Sequence, residues 1–151
     1  MSTEIIEGLE SDIKVAMKAR EGDRVEALRF LLSEIRKVGI NERRDSTDED
    51  ALVVVGKLIK QGQESIEMFK KGDRQDLVAK EELGIKLYRT YLPPQLSAEE
   101  LGAMVSEAIA ETSPAGMKDL GKVMKVLLPR VKGRADGKVV NAAVREKLQE
   151  A

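Results

Sequence analysis

An all-α fold is what this sequence predicts. It reads as a bundle of about four helices joined by a Pro-Pro hinge to a small C-terminal domain of three helices. Three observations carry the prediction. Apolar residues recur at three- and four-residue spacing through most of the 151-residue chain. The composition is rich in Ala, Leu, Glu, Lys and Arg, while aromatics are 3 % and Trp is absent, which favours helix over sheet. Gly, Pro and capping residues fall between the apolar stripes, so most stripes have a readable start and stop.

The first stripe holds Ile5, Leu9, Ile13, Ala16 and Met17, and Gly22 is expected to end it. Asp23 then offers an N-cap, with Glu26 three residues on in a box-like arrangement. Val25, Leu28, Leu31, Leu32, Ile35 and Val38 form the second stripe, ending near Gly39. Thr47 and Asp50 signal a third helix through Leu52, Val55, Ile59, Ile66 and Phe69. Gly72 and Asp73 repeat the stop-then-cap device, and Leu77, Leu83, Leu87 and Tyr91 mark a fourth helix.

Pro93 and Pro94 break the pattern, since each disfavours helical geometry in the residue before it and neither donates a backbone hydrogen bond. The expected division is an acidic helical domain over 1–92, a hinge over 93–97 and a basic three-helix domain over 98–151. Ser97 and Glu100 form a capping box ahead of Leu101, Met104, Val105, Ala108 and Ile109. Pro114 to Gly116 makes a turn, and a helix is expected from Met117 to Leu128, with Pro129 ending or kinking it. The turn from Gly133 to Asp136 leads to a last helix bearing Val139, Val140, Ala143, Val144 and Leu148. A domain this small has a marginal core.

The near-neutral whole, net −1, hides an asymmetry. Residues 114–151 hold nine Lys/Arg against four acids, whereas the preceding residues hold seventeen against twenty-three. Such a split points to a polyanionic partner for the basic part. With no Cys, disulfides, thiolate nucleophiles and Cys-ligated zinc are excluded. With no His, the commonest general acid/base and the commonest metal ligand are missing. No signal peptide or membrane-length apolar run is read, so a cytoplasmic protein with no membrane partner is the expectation.

Several motifs resemble catalytic ones and are better explained structurally. Gly116 to Lys122 fits the first seven positions of a phosphate-binding P-loop, but Val123 stands where Ser or Thr should bind magnesium, and no strand precedes it. Ser11 and Lys14 match Ser-x-x-Lys on a surface helix without companion motifs. Asp48, Glu49 and Asp50 suit the positive end of a helix dipole rather than a calcium loop. No cofactor, metal site or catalytic residue is therefore assigned.

On a helical wheel at roughly 100° per residue, Lys118, Lys122 and Lys125 fall within about 60° of one another. Leu120, Val123, Met124 and Leu127 gather opposite. Arg130, Lys132, Arg134 and Lys138 follow around the next turn, Lys132 extending the stripe only if the helix continues. Cations so arranged can neutralise phosphates with salt-sensitive, largely sequence-independent affinity, although a solvated helix face looks the same from charge alone. All four aromatics (Phe30, Phe69, Tyr88, Tyr91) precede residue 92, so the basic part has no platform for unstacked bases. It is expected to read phosphates and the shape of structured RNA.

The stretch Met117 to Val140 (MKDLGKVMKVLLPRVKGRADGKVV) closely resembles the C-terminal signature of the YqeY-like (GatB/YqeY domain) family. Lys71 to Leu77 and Tyr91 to Leu101 match it as well, so the resemblance spans essentially the whole chain. It implies an all-helical, two-part protein similar to the tail of the B subunit of tRNA-dependent amidotransferases and to an extension of some glutaminyl-tRNA synthetases. In those settings the module looks like a tRNA-body contact, which would make Lys118, Lys122, Lys125, Arg130, Lys132, Arg134 and Lys138 the RNA-binding residues here. The amide-transfer chemistry does not carry over, because the kinase-like core, the Ser–Ser–Lys amidase and the Cys glutaminase machinery are all missing from this sequence. The reading is a non-catalytic tRNA-binding accessory module. Its alternatives are an adaptor docking onto an aminoacyl-tRNA synthetase or amidotransferase, and a component of a glutamine-dependent carbon–nitrogen ligase.

Overall fold

A computed structural model describes residues 2–150. It contains seven α-helices and one 3₁₀ turn, with no strand among the described residues. The chain divides into two compact units between Leu92 and Pro93.

The N-terminal unit comprises α1 (Glu4–Lys18), α2 (Gly22–Glu42), α3 (Asp48–Lys71) and α4 (Gln75–Arg89). Leu9, Leu28, Leu31, Ile35 and Val55 are fully buried where these helices meet. Burying side chains of this size contributes roughly 1.5–3 kcal/mol each against the entropy of ordering the chain. Gly62 sits where an added Cβ would lie 3.0 Å from the Ile85 side chain, so its lack of a side chain lets α3 and α4 approach closely. Tyr88 crosses the bundle and donates its hydroxyl to Ala27 C=O at 3.0 Å. Burial first, then the nearby Glu81 and Glu26 charges, push its phenol up to about 12. Tyr91 donates to Asp12, which ties the end of the unit back to α1.

Two helix starts are built as expected. Thr47 Oγ1 accepts from Asp50 N–H while Asp50 reaches back to Thr47 N–H, a complete capping box. Ser97 and Glu100 do the same at the C-terminal unit's first helix. The acids of 48–50 also bind other parts of the chain. Asp48 accepts from Ile5 N–H at 2.9 Å, anchoring the start of α1, and Asp50 takes both arms of Arg44 at 2.6 and 2.9 Å.

Other boundaries depart from expectation. Gly22 belongs to α2 rather than ending α1; the chain turns instead at Arg20, with φ +57. Asp23 lies in the first turn of α2 and caps nothing, the N-cap position being Glu21. Asp73 likewise takes a left-handed conformation, φ +56, rather than capping α4. Along α4 the buried line is Val78, Ile85 and Tyr88, with Leu77, Leu83 and Leu87 half-buried beside it. The second helix passes through Gly39 to Glu42, and Ser46 folds back onto it. Ser46 Oγ donates to Ile35 C=O at 2.8 Å and accepts from Gly39 N–H at 3.1 Å. That hydroxyl thus engages the two groups the helix ladder would pair, one of the known ways of bending a helix.

The C-terminal unit comprises α5 (Ala98–Thr112), a 3₁₀ turn (Met117–Asp119), α6 (Leu120–Val131) and α7 (Gly137–Glu150). Val105, Val123, Leu127, Val131, Val140 and Val144 form its buried centre. The chain from Pro93 to Leu96 is stitched onto the α6–α7 turn of the same unit. Gln95 Nε2 donates to Gly133 C=O at 2.8 Å, Leu96 N–H to Arg134 C=O at 2.9 Å, and Arg134 Nε to Pro94 C=O at 3.1 Å.

Candidate nucleic-acid interface

The seven cations singled out in the sequence divide into groups with different surroundings. Lys118 lies in the 3₁₀ turn rather than on α6, so a continuous helical wheel does not relate it to Lys122 and Lys125. Those two share the outer face of α6, opposite the buried Val123, Leu127 and Val131. All three lysines are exposed, and none forms an ion pair with a described residue. Leu128, 42 % exposed, sits beside Lys125 on the same side.

Pro129 does not end the helix. It occupies the last turn, and α6 continues to Val131. A proline there forfeits one backbone bond near the solvated end instead of breaking a long ladder. Arg130 consequently projects from a flank of α6 away from Lys125, by about 140° at 100° per residue. There it forms a two-armed pair with Glu111 of α5 at 2.6 and 3.2 Å. The hydrogen bond to Glu111 raises the Arg130 guanidinium further, and the same bond holds the Glu111 carboxyl below its usual range.

Past Val131 the backbone leaves helical geometry at Lys132, so this exposed lysine does not prolong the α6 stripe. Arg134 is half-buried and spends its Nε on Pro94. Lys138 is exposed on the first turn of α7, its backbone N–H donating to Asp136 at 3.1 Å. The structure therefore leaves Lys118, Lys122, Lys125 and Lys138 presented to solvent, and commits Arg130 and Arg134 to contacts within the unit.

The P-loop-like segment opens from a helix, α5, and passes through Gly116 at φ +125 into the 3₁₀ turn, with Asp119 accepting from Ala115 N–H at 2.7 Å. Asp119 closes the turn on itself and no strand leads into it, which is not the phosphate-cradle context. Among the described residues no group of three or more acids is placed to hold a metal ion, and no helix is long and apolar enough to cross a membrane.

One surface escaped the sequence reading. Summing the N-terminal helices as acidic hid a basic face on α2, where Arg29, Arg36 and Lys37 accompany Phe30, 50 % exposed, and Ile40, 74 % exposed. Its signal was present: Phe30 and Ile40 fall off the buried line of Leu28, Leu31, Leu32 and Ile35.

Residues 6–148 match the family described as Yqey-like protein. A protein of Eremothecium gossypii named "Altered inheritance of mitochondria protein 41, mitochondrial" is 36 % identical over 154 residues, covering 99 % of this chain and 83 % of its own length. Proteins of the same name from Lachancea thermotolerans and Pyrenophora tritici-repentis are 33 % and 28 % identical, covering 92 % and 97 % of this chain and 78 % and 80 % of their own. These names overturn the cytoplasmic expectation, for each relative is named as mitochondrial. Lack of cysteine and of a long apolar run fits any reducing aqueous compartment, so those features could not discriminate.

Proposed function

The chain belongs to the Yqey-like protein family, and from that premise we propose that it is a non-catalytic accessory protein that binds the body of tRNA through its C-terminal unit. On this reading it works in the mitochondrial compartment for which its relatives are named. One observation carries the proposal: Lys118, Lys122 and Lys125 are exposed and make no ion pair with any described residue, and they lie in the stretch 114–151, where nine Lys/Arg face four acids. Unpaired ammonium groups can neutralise phosphates without first breaking an intramolecular bond, and the counterions so released favour association. Lys138 adds a fourth such group, while Arg130 and Arg134 support the face by fixing α5 against α6 and Pro94 against the following turn.

The unit has no aromatic residue, so binding should favour folded RNA over an unstructured strand of equal length. Fluorescence anisotropy with both RNAs at low salt tests this. Tighter binding to the folded tRNA supports the reading, and a preference for the unstructured strand opposes it. The adaptor reading, in which the N-terminal helices dock onto an aminoacyl-tRNA synthetase or amidotransferase, draws support from a different surface on α1 and α2.

A further inference from the structure

Helices α1 and α2 leave an open groove along their solvent side. Ile13 and Leu32 reach its floor, Ile40 stands on its wall, and Arg29, Arg36 and Lys37 line it. The groove continues past Ile40 towards Arg43 and the loop that follows α2. Ile40, 74 % exposed, is one of its lining residues, and Met17, 49 % exposed, lies against the lining Arg29. Isolated apolar residues on a surface need no explanation, but an exposed Ile40 set above the apolar floor of Ile13 and Leu32 makes a recess ringed by cations.

The cations are available. Arg29 lies against Met17 Sδ at 3.4 Å, and neither it nor Arg43 has a carboxylate partner among the described residues. Arg36 meets Glu10 only at 3.4 Å, and Lys37 pairs with its helical neighbour Glu34; both pairs are solvent-exposed. Exposed pairs of this kind are weak and readily exchanged for a partner's carboxylates. Arg44 is not available to a partner, because Asp50 holds it in two-armed geometry.

We propose that the α1–α2 groove is a docking site for an amphipathic helix of a partner protein whose apolar stripe is flanked by acidic residues. Apolar side chains of the incoming helix would cover Ile13, Leu32 and Ile40, with its carboxylates meeting Arg29, Arg36, Lys37 and Arg43, as in other helix-in-groove complexes. The aliphatic floor gives phosphates nothing to bind. A second copy presenting the same face would set like charges opposite one another. A flat anionic membrane could use the cations but not the recess.

The test uses the full-length protein and two labelled synthetic helical peptides of about 20 residues, the span of a typical docking helix. Both carry the same leucine stripe, one with Glu and the other with Lys on its flanks. Anisotropy should show the Glu-flanked peptide binding at least tenfold tighter than the Lys-flanked one. Amide chemical-shift changes should gather on Arg29–Arg43 and the facing residues of α1. Ile40→Glu and the double variant Arg36→Glu/Lys37→Glu change only exposed side chains, and each should abolish peptide binding while circular dichroism stays unchanged. Equal affinity for both peptides, undiminished binding by the folded variants, or shifts mapping elsewhere would overturn the proposal. So would self-association in sedimentation that Ile40→Glu abolishes, binding to vesicles containing anionic lipid, or loss of folded-tRNA affinity in the Arg36/Lys37 variant. Peptide binding retained by a lysine-reversal variant of the C-terminal unit would confirm that the two surfaces act separately.

Discussion

Arg130 and Glu111 face each other across α6 and α5 in a two-armed pair at 2.6 and 3.2 Å, nineteen positions apart in sequence. The pair separates Arg130 from the lysines of the same helix, although all of them contribute alike to the sequence's charge surplus. Both partners are solvent-exposed, so the pair contributes little to stability. Arg130→Ala should therefore lower the melting temperature slightly and weaken tRNA binding less than Lys122→Ala or Lys125→Ala does. Glu111→Gln, which frees the guanidinium, should leave affinity equal or slightly improved. Anisotropy titrations of the four variants check this ranking.

Arg134 is expected to behave as a clasp. Its Nε bond to Pro94 C=O and the Leu96 N–H bond to its own carbonyl hold the segment after Leu92 onto the C-terminal unit. Arg134→Ala removes the first bond and keeps the second, at a cost of about 0.5–1.5 kcal/mol. Hydrogen exchange should show the Leu96 amide exchanging faster in the variant, with α1–α4 amides unaffected. An affinity loss for tRNA as large as that of a lysine variant would show Arg134 acting on RNA instead.

Asp50 predicts an acid-dependent stability. The Arg44 guanidinium holds its carboxyl well below the usual carboxylate range, with the Thr47 bonds adding to the effect. A depressed folded-state pKa gives stability that is present above the unfolded value of about 3.9 and lost as pH falls below it. Asp50→Asn keeps an acceptor for Thr47 N–H but loses the charge that pairs with Arg44, so it should lower stability at neutral pH. The gap between wild type and variant should begin to narrow below about pH 4, where the unfolded chain's Asp50 protonates, and go on narrowing as pH falls towards the depressed folded-state value. Denaturant melts at several pH values read this directly.

Two glycines should respond oppositely to alanine. A Cβ at Gly39 would lie 2.6 Å from both Arg44 C=O and Ser46 Oγ. Relieving such overlap costs about 1–3 kcal/mol, more than the propensity gain of up to about 1 kcal/mol for replacing a helical glycine. Gly56, within α3, has nothing within 4 Å of the corresponding position. Gly39→Ala should lower the melting temperature and Gly56→Ala should raise it.

The sequence made the helices legible wherever local chemistry decides. Thr47 with Asp50 and Ser97 with Glu100 mark real starts because a capping box is complete within four residues. The stripe Val123–Leu127 marks a real inner face because one small core lies behind it. Legibility stopped where the deciding partner is distant. Whether Leu87 or Tyr88 turns inward depends on Ala27, sixty-one positions away, which accepts the tyrosine hydroxyl. Arg20 and Asp73 adopt left-handed turns usually left to glycine, so Gly22 is not the stop and Asp73 not the cap that the sequence suggests, whereas Gly72 does close α3 as expected. Within the candidate interface, exposure of Lys122 and Lys125 followed from the wheel, whereas the engagement of Arg130 and Arg134 depended on Glu111 and Pro94. The groove on α2 went unseen because summing charge over a whole unit averages out one helix face.

Lys118, Lys122 and Lys125 are the proposed phosphate contacts, and a salt titration of folded-tRNA binding tests that role. Wild-type affinity should fall linearly on a log–log plot as salt rises. Substituting all three lysines by alanine should reduce the slope by about 3, near one per phosphate contact, and reversing all three to Glu should abolish binding in a protein that still folds. Affinity and slope unchanged in the folded triple variants would contradict the claim.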